Sequence, residues 1–334
     1  MPATPLLRVL ATAASLLFAA GSVSAEPLSP QAAWYAAYRQ GSRLVPLADG
    51  RKLNLYCIGT GSPTVLLESG IGGDAYDWRS VQDDIARQTR VCAYDRAGLG
   101  RSDPGPMPRD TRAEAADLEA LLVAADLRGP YVLVGHSMGG YIVSVFANRH
   151  FGDVAGIVLV DPSVENQLPV MEAAAPAGAD GDKKSLAFAR HCGTPDSTPD
   201  IVKACARPAP TDFPPELAAA WAQAHGAAAI QTFSSEVDSF VTADSAQVVA
   251  ERRDFGAIPL IVLTRGERST NFPPDQAEAE WTVWNKLHGD LARLSTIGVN
   301  RVVPGANHYI QLDQPQAVVD AVAEVVTAAR RPKR

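Results

Sequence analysis

The stretch that decides the fold is YVLVGHSMGG, residues 131–140. Its first half is an apolar run typical of a buried strand, and the amphipathic stretch MGGYIVSVFANRH that follows predicts a helix. Ser137 lies at the turn between them, with Gly135 two residues before it and Gly139 two residues after it. Glycines at these positions let the strand and the helix approach each other around a sharp turn. Because the helix would point its N-terminal amides at the same place, Ser137 is a candidate nucleophile.

Short apolar runs alternate with helical patterns on both sides of this turn. The predicted strands are RKLNLYCIG, PTVLLESG, RVCAY, YVLVG, VAGIVLVD, IPLIVLTRG and NRVVPG. The Gly-Thr-Gly-Ser between the first two indicates a hairpin, and Thr111 is the expected cap of the helix TRAEAADLEALLVAADL. Near-continuous apolar strands between helices predict a mostly parallel sheet that is covered on both faces.

The strand pattern stops in the middle of the chain. Residues 162–255 contain prolines and alanine-rich helical pieces but no convincing strand. We therefore expect a core formed by 26–161 and 256–334, with 162–255 inserted as a helical cap. Ligands of such sheets bind at the carboxyl ends of the strands, which is where this cap would lie.

The first 25 residues have the pattern of a secretory signal peptide. Arg8 precedes an apolar core, and the small residues Val23-Ser24-Ala25 predict cleavage near Ala25. The rest of the chain has no second apolar stretch long enough to span a bilayer. We expect an exported protein, periplasmic or extracellular, with no stable membrane insertion after cleavage. The net charge of −7 gives no support to nucleic acid or an anionic membrane surface as the partner.

Three motifs together carry a resemblance to a known family. They are GHSMGG at the serine turn, DRAGLGRSD after the strand RVCAY, and GANHYIQLDQP near the end of the chain. With this order of elements, the chain resembles the α/β-hydrolase superfamily over nearly all of its mature part, 162–255 matching only as a variable cap. The resemblance implies an eight-stranded, mostly parallel sheet and a Ser-Asp/Glu-His triad in that chain order. It implies no metal and no organic cofactor.

The resemblance places the base and the oxyanion donors. His308 follows the last predicted strand and precedes the last helix, so it is the expected general base. The first oxyanion donor is expected to be the amide of Met138. The second should come from the loop after PTVLLESG, where the alignment gives Ile71, or Gly72 if the loop is shifted by one residue.

The remaining histidines are expected in structural positions outside the triad. We expect His136 to pack beside the nucleophile, His150 and His288 to lie on helix surfaces, and His191 and His225 to belong to the cap.

The acid of the triad is not where most relatives carry it. In them it follows the strand after the cap as Gly-x-x-Asp, but here Ser269 occupies that position. Asp161, which ends the preceding strand, is our preferred candidate because some lipases of the superfamily place their acid there. Glu267 is the alternative, and Asp275 also stays open.

The four cysteines are expected to be paired, since an exported protein meets an oxidising compartment. The fold implied by the resemblance puts the strand of Cys57 beside the strand of Cys92, which predicts one disulfide. Cys192 and Cys205 both lie in the predicted cap and would form the second. Four buried thiols are the alternative.

The sequence thus predicts an exported serine hydrolase that cleaves carboxylic esters through an acyl-enzyme. The expected substrate is a small-molecule ester with an apolar acyl group. The same serine would also serve a lactonase, thioesterase, amidase or cofactor-free haloperoxidase, and a non-catalytic binding protein could keep this fold. A serine nucleophile argues against a haloalkane dehalogenase, which needs aspartate there. The oligomeric state is left open.

Overall fold

The structure is a computed structural model that describes residues 27–270 and 272–331. The predicted signal peptide, residues 1–25, lies outside the described residues. The strands are β1 (Arg43–Pro46), β2 (Lys52–Ile58), β3 (Thr64–Glu68), β4 (Val91–Tyr94), β5 (Tyr131–His136), β6 (Val154–Val160), β7 (Leu260–Arg265) and β8 (Val299–Val303).

The helices alternate with these strands and extend beyond them at both ends. They are α1 (Pro30–Gly41), α2 (Gln82–Ala86), α3 (Thr111–Ala124), α4 (Gly139–Arg149), α5 (Gln167–Ala174), α6 (Pro176–Arg190), α7 (Pro199–Cys205), α8 (Pro215–Ala224), α9 (Ala227–Thr242), α10 (Asp244–Glu251), α11 (Pro274–Ala292), α12 (Ile310–Asp313) and α13 (Pro315–Ala329). Within the described ranges, no helix is long and apolar enough to cross a membrane.

The described strands form one eight-stranded sheet in the order β1-β2-β4-β3-β5-β6-β7-β8. β2 pairs antiparallel with β1 and with β4, and the other described strand pairs are parallel, so the predicted mostly parallel sheet is confirmed. Successive residues of β5 point to opposite faces: Val132 and Val134 pack with α13, whereas Leu133 packs with α3 and α4. The alternation explains why the central strands read as continuous apolar runs, since both of their faces are buried.

Two local predictions are wrong. β2 and β3 do not form a hairpin, because β4 lies between them and β3 is already paired on both edges by parallel strands. Thr111 is the first residue of α3, and the helix is capped by Asp110, whose carboxylate accepts the amide N–H of Ala113. Helix α1 and strand β1 are not among the elements predicted from the sequence.

The chain between β6 and β7 contains helices α5 to α10, and the described residues form no strand there. Its role as a cap stays a prediction. Helix α9 packs its Thr232 and Phe233 against the loops of the core. A Cβ at Gly98 would meet the Thr232 hydroxyl at 2.0 Å, and a Cβ at Gly72 would meet the Phe233 ring at 2.8 Å.

Both expected cysteine pairs are bonded in the structure. Cys57 and Cys92 are direct partners across the antiparallel pair β2 and β4, which brings their Cα atoms to 4.0 Å. Cys192 and Cys205, 13 positions apart, join the segment after α6 to the end of α7. The described chain has no free cysteine.

Candidate active site

The turn at Ser137 is a strained one that the surrounding structure holds in place. Ser137 has a φ of 53°, in the left-handed region that a residue with a side chain rarely adopts. Its amide donates to the carbonyl of Val160 at 3.2 Å, and its own carbonyl accepts the amide of Ser163 at 2.9 Å. A Cβ at Gly139 would lie 2.5 Å from the carbonyl oxygen of Glu68, so only glycine lets α4 start this close to the end of β3.

His308 and Asp161 are brought together as the sequence predicts. Nδ1 of His308 lies 2.7 Å from Oδ2 of Asp161, whose side chain is fully buried. Because an ionised carboxylate can only accept, this contact puts a proton on Nδ1 and leaves Nε2 free to take one. The imidazole of His308 is 41% exposed, so its ring can meet a ligand at the surface of the site.

Two residues that the sequence analysis missed fix the carboxylate of Asp161. Its Oδ1 accepts the indole N–H of Trp284 at 2.9 Å and the backbone N–H of Arg265 at 3.0 Å. Burial disfavours its ionised form, but the hydrogen bond and charge of His308, with the guanidinium of Arg265, hold the pKa of Asp161 well below its usual range. No local signal identifies this Trp, since an aromatic residue on the apolar face of α11 is typical of core packing.

His136 supports the loop that carries the base. Its Nε2 lies 3.0 Å from the carbonyl oxygen of His308, and the two rings are 4.7 Å apart. Burial and the neighbouring His308 lower the pKa of His136 to about 3, so its ring is neutral and donates from Nε2. The packing role predicted for His136 thus agrees with these contacts.

Two backbone amides near Ser137 have the properties expected of oxyanion donors. A Cβ at Gly70 would lie 3.1 Å from the Cβ of Ser137, so the loop after β3 passes directly over the serine. Among the described residues, the amides of Ile71 and Met138 have no hydrogen-bond acceptor. The amide of Gly72 donates to Oε2 of Glu236 at 2.7 Å, which favours Ile71 over Gly72 as the second donor.

Arg96 holds in place the loop after β3, residues 69–73, which is the predicted oxyanion loop. Its Nη1 donates to Glu68 and to the carbonyl of Ser69, both at 2.7 Å, and its Nη2 donates to the carbonyl of Gly70 at 2.6 Å. Its Nε donates to Oε1 of Glu236 at 2.9 Å. Arg96 and both carboxylates are almost completely buried, so these charges compensate one another inside the protein. One guanidinium thus connects β3, the oxyanion loop and helix α9.

The alternative acids occupy other places. Glu267 contacts the loop before His308 and not the imidazole of His308. Its Oε1 accepts the amide N–H of Gly305 at 3.1 Å. It therefore braces the loop before His308. Asp275 lies in the first turn of α11, and within 27–270 and 272–331 no hydrogen bond joins it to His308. The geometry favours Asp161.

The expectation that His288 lies on a helix surface is wrong. It is fully buried on the inner face of α11, with Nε2 2.9 Å from the carbonyl of Pro162 and Nδ1 2.7 Å from the hydroxyl of Thr264. Burial lowers its pKa to about 4. The helical period of α11 turns this residue, like Trp284 one turn earlier, toward the sheet. His225 is also buried, 2.8 Å from Asp74.

A cavity of about 520 Å³ adjoins the site. Its wall reaches the site through Ile71 and Gly72 of the oxyanion loop and through Tyr309, which follows His308, rather than through Ser137 or His308 themselves. Helices α8 and α9 form the opposite wall, including Trp221 and Phe233. The cavity thus lies between the loops at the strand ends and the helical segment, which is the chain of helices α5 to α10 between β6 and β7.

One curated relative matches most of the chain. YqjL of Bacillus subtilis, an uncharacterized protein, is 25% identical over 271 residues, which cover 81% of this chain and 86% of YqjL. The chain spans less than half the length of the other curated relatives compared with it.

Two solved structures share the fold at low sequence identity. The epoxide hydrolase CorEH is 19% identical with a TM-score of 0.58, covering 86% of this chain and 99% of that chain. A thermophilic esterase from Thermogutta terrifontis is 22% identical with a TM-score of 0.56, covering 87% and 99%. Residues 65–321 match the alpha/beta hydrolase family, and since this match spans most of the sequence, the chain belongs to that family.

Proposed function

We propose that the protein is an exported serine hydrolase that cleaves carboxylic esters, with Ser137 as nucleophile, His308 as base and Asp161 as acid. The observation that carries the proposal is the 2.7 Å hydrogen bond between His308 and the buried Asp161. Ser137, held at a φ of 53°, directly follows His136, whose ring lies 4.7 Å from that of His308. The esterase among the structural neighbours agrees with this activity, although at its identity it supports the fold alone.

The proposed reaction has two halves. In the first, Oγ of Ser137 attacks the ester carbonyl while Nε2 of His308 takes its proton, and the amides of Met138 and Ile71 bind the oxyanion. The intermediate then breaks its bond to the alcohol oxygen, which takes the proton from His308. In the second half, water attacks the acyl-enzyme by the same route and releases the acid with free Ser137. Asp161 holds the tautomer and stabilises the imidazolium in both halves.

The test of the nucleophile is labelling with a fluorophosphonate probe, which reacts with activated serines. We expect the wild type to be labelled and Ser137→Ala not to be. Ser144→Ala is the matched control, since Ser144 lies on α4 and bonds the carbonyl of Gly140, and it should be labelled like the wild type. A folded wild type that resists the probe would argue for a non-catalytic protein. Rates on p-nitrophenyl esters of increasing acyl length would then define the preferred chain.

We also propose that residues 162–255 cap the site and that the mature protein is periplasmic or extracellular. The two disulfides support an oxidising compartment. When the full chain is expressed in a bacterial host and fractionated, the mature protein should begin at Glu26 and contain no free thiol by mass mapping. A cytosolic product with its first 25 residues and four free thiols would contradict this proposal.

A further inference from the structure

The cavity beside the oxyanion loop has an apolar wall. Trp221, Ile230 and Phe233 of the helical segment face Ile71 and Leu312 of the core across it. A space of about 520 Å³ holds a group of several carbon atoms or a ring. Ile71 lines this cavity and also belongs to the proposed oxyanion hole. A substrate whose ester carbonyl is bound in that hole could therefore extend one of its groups into the cavity.

Polar and charged side chains also line this cavity, and two of them, Arg207 and His225, have carboxylate partners. Nη2 of Arg207 donates to Asp77 at 2.6 Å. Nε2 of His225 lies 2.8 Å from Asp74, while its Nδ1 lies 2.9 Å from the carbonyl of Trp221. Both ring nitrogens of His225 therefore have hydrogen-bond partners within the protein.

Arg79 is the cation on this wall without such a partner. Its Nη1 donates to the carbonyl of Tyr76 at 3.1 Å, and its guanidinium lies 4.2 Å above the ring of the same residue. Among the residues that the structure describes, no carboxylate forms an ion pair with Arg79. Two carboxylates are close enough to interact with its charge, but both have other partners. Asp77 is bonded to Arg207. Asp212 accepts hydrogen bonds from Ser29 and Gln31.

We propose that this cavity binds the part of the substrate that carries a carboxylate, and that Arg79 recognises this carboxylate. The substrate class is then an ester with an apolar group that ends in an anion, which refines the apolar acyl group expected from the sequence. The guanidinium is well suited to the task because its planar N–H groups match the two oxygens of a carboxylate. This inference rests on the proposed ester hydrolysis at Ser137.

The test compares esters in matched pairs that differ by one carboxylate. Methyl hexanoate and monomethyl adipate place it on the acyl side, whereas phenyl acetate and 4-acetoxybenzoate place it on the alcohol side. We expect the wild type to show a kcat/KM at least tenfold higher for the anionic member of one pair. Which pair shows the preference identifies the part of the ester in the cavity.

Arg79→Gln should remove this preference. We expect its kcat/KM for the anionic ester to fall about tenfold or more, through KM, because a charge-assisted hydrogen bond is lost. Its rate on the neutral ester should stay within twofold, and Arg79→Lys should keep part of the preference. Arg87→Gln is the control, since that guanidinium is 76% exposed and pairs with Asp84 outside the cavity. An equal loss on both esters, or a wild type that prefers the neutral member of both pairs, would overturn the inference.

A binding measurement separates failure of this inference from failure of the proposed function. Adipate and 4-hydroxybenzoate can be titrated by calorimetry into Ser137→Ala and into the double variant with Arg79→Gln. Binding that requires Arg79, together with a wild type that hydrolyses none of the esters, would preserve the carboxylate site and reject the esterase. Hydrolysis of neutral esters without any binding or preference for the anions would do the reverse.

Discussion

A carboxylate can hold an imidazole in one tautomer only when its own orientation is fixed. For Asp161 this is achieved by hydrogen bonds to both carboxylate oxygens. Oδ1 accepts the indole N–H of Trp284 and the backbone N–H of Arg265. Oδ2 accepts from His308 at 2.7 Å and from Nη1 of Arg265 at 3.3 Å. Asp161 itself has a φ of 41° and donates its amide to the carbonyl of Leu263 at 2.8 Å, which keeps the strained turn in place.

We therefore predict that Asp161→Asn lowers kcat by about 10³-fold or more, because an amide can present an N–H to Nδ1 and favour the wrong tautomer. Glu267→Gln should change kcat only a few-fold, since its carbonyl oxygen can still accept the amide N–H of Gly305. Ester hydrolysis by both variants, with circular dichroism to check folding, measures the difference. A larger loss in Glu267→Gln would move the acid to that residue.

At this scale the sequence identifies residues whose neighbours constrain them and leaves the others ambiguous. Ser137 is recognisable because glycines must flank so sharp a turn, and His308 because it follows the last strand. The acid could not be chosen with the same certainty, since Asp161 and Glu267 both lie near the ends of neighbouring strands. The difference between them depends on Trp284, whose N–H comes from a helix more than 100 residues away from Asp161 in sequence.

Among the elements, helix α9 has the most direct influence on the proposed chemistry. Its Glu236 accepts from Arg96 through both carboxylate oxygens, and Oε2 also accepts the amide N–H of Gly72. Its Phe233 fills the space over Gly72. The oxyanion loop is thus held between the core and the helical segment. A displacement of α9 would break the buried ion pair between Arg96 and Glu236, and breaking a buried ion pair is costly.

We predict that Glu236 acts as a positioning residue for the amide of Ile71. Glu236→Ala should lower kcat by roughly 10- to 100-fold with little change in KM, because a loosened loop weakens a contact made mainly in the transition state. Glu236→Gln should retain more activity, since its carbonyl oxygen can still accept from Gly72. The rate of fluorophosphonate labelling should fall in parallel with kcat.

The control for this variant is Asp238→Asn on the same helix. Asp238 forms a half-exposed ion pair with Arg190, and we expect its loss to leave kcat unchanged. Urea unfolding of each variant separates stability from positioning. A Glu236→Ala protein with wild-type kcat and only reduced stability would show that the residue is structural.

The elements themselves were largely predictable, because their period is local. The apolar runs of β3, β5 and β6 are visible in the sequence. The pairing of β2 with β4 follows only from the family resemblance, since it joins strands more than 30 positions apart. The partner of Gly72 is equally invisible: 164 positions separate it from Glu236.

The whole molecule buries many ionisable groups, and their pKa shifts oppose one another. Burial raises the pKa of Glu114 to about 8 and that of Asp95 to about 6, but lowers that of His288 to about 4. A buried acid with a raised pKa stabilises the fold less as pH rises, and a buried histidine with a lowered pKa stabilises it less as pH falls. The total pH dependence is therefore a difference of large contributions, and single variants are needed to resolve it.

His288 allows one contribution to be measured. Its pKa is near 6.5 in the unfolded chain and about 4 in the folded protein. Between these two pH values the unfolded chain is protonated at His288 and the folded protein is not. Its stabilising effect is fully present above pH 6.5 and declines as pH falls toward 4. Compared with His288→Gln, which cannot titrate, the wild type should lose about 3 kcal/mol of relative unfolding free energy across this interval.

Urea unfolding of both proteins at several pH values between 7 and 4 provides the measurement. Because every other titrating group is common to the two proteins, their opposing shifts cancel in the difference. The slope should approach about 1.4 kcal/mol per pH unit in the middle of the interval. A difference that stays constant with pH would mean that His288 takes up its proton at the same pH in the folded protein as in the unfolded chain. Its contact with the carbonyl of Pro162 would then become that of an imidazolium below about pH 6.5.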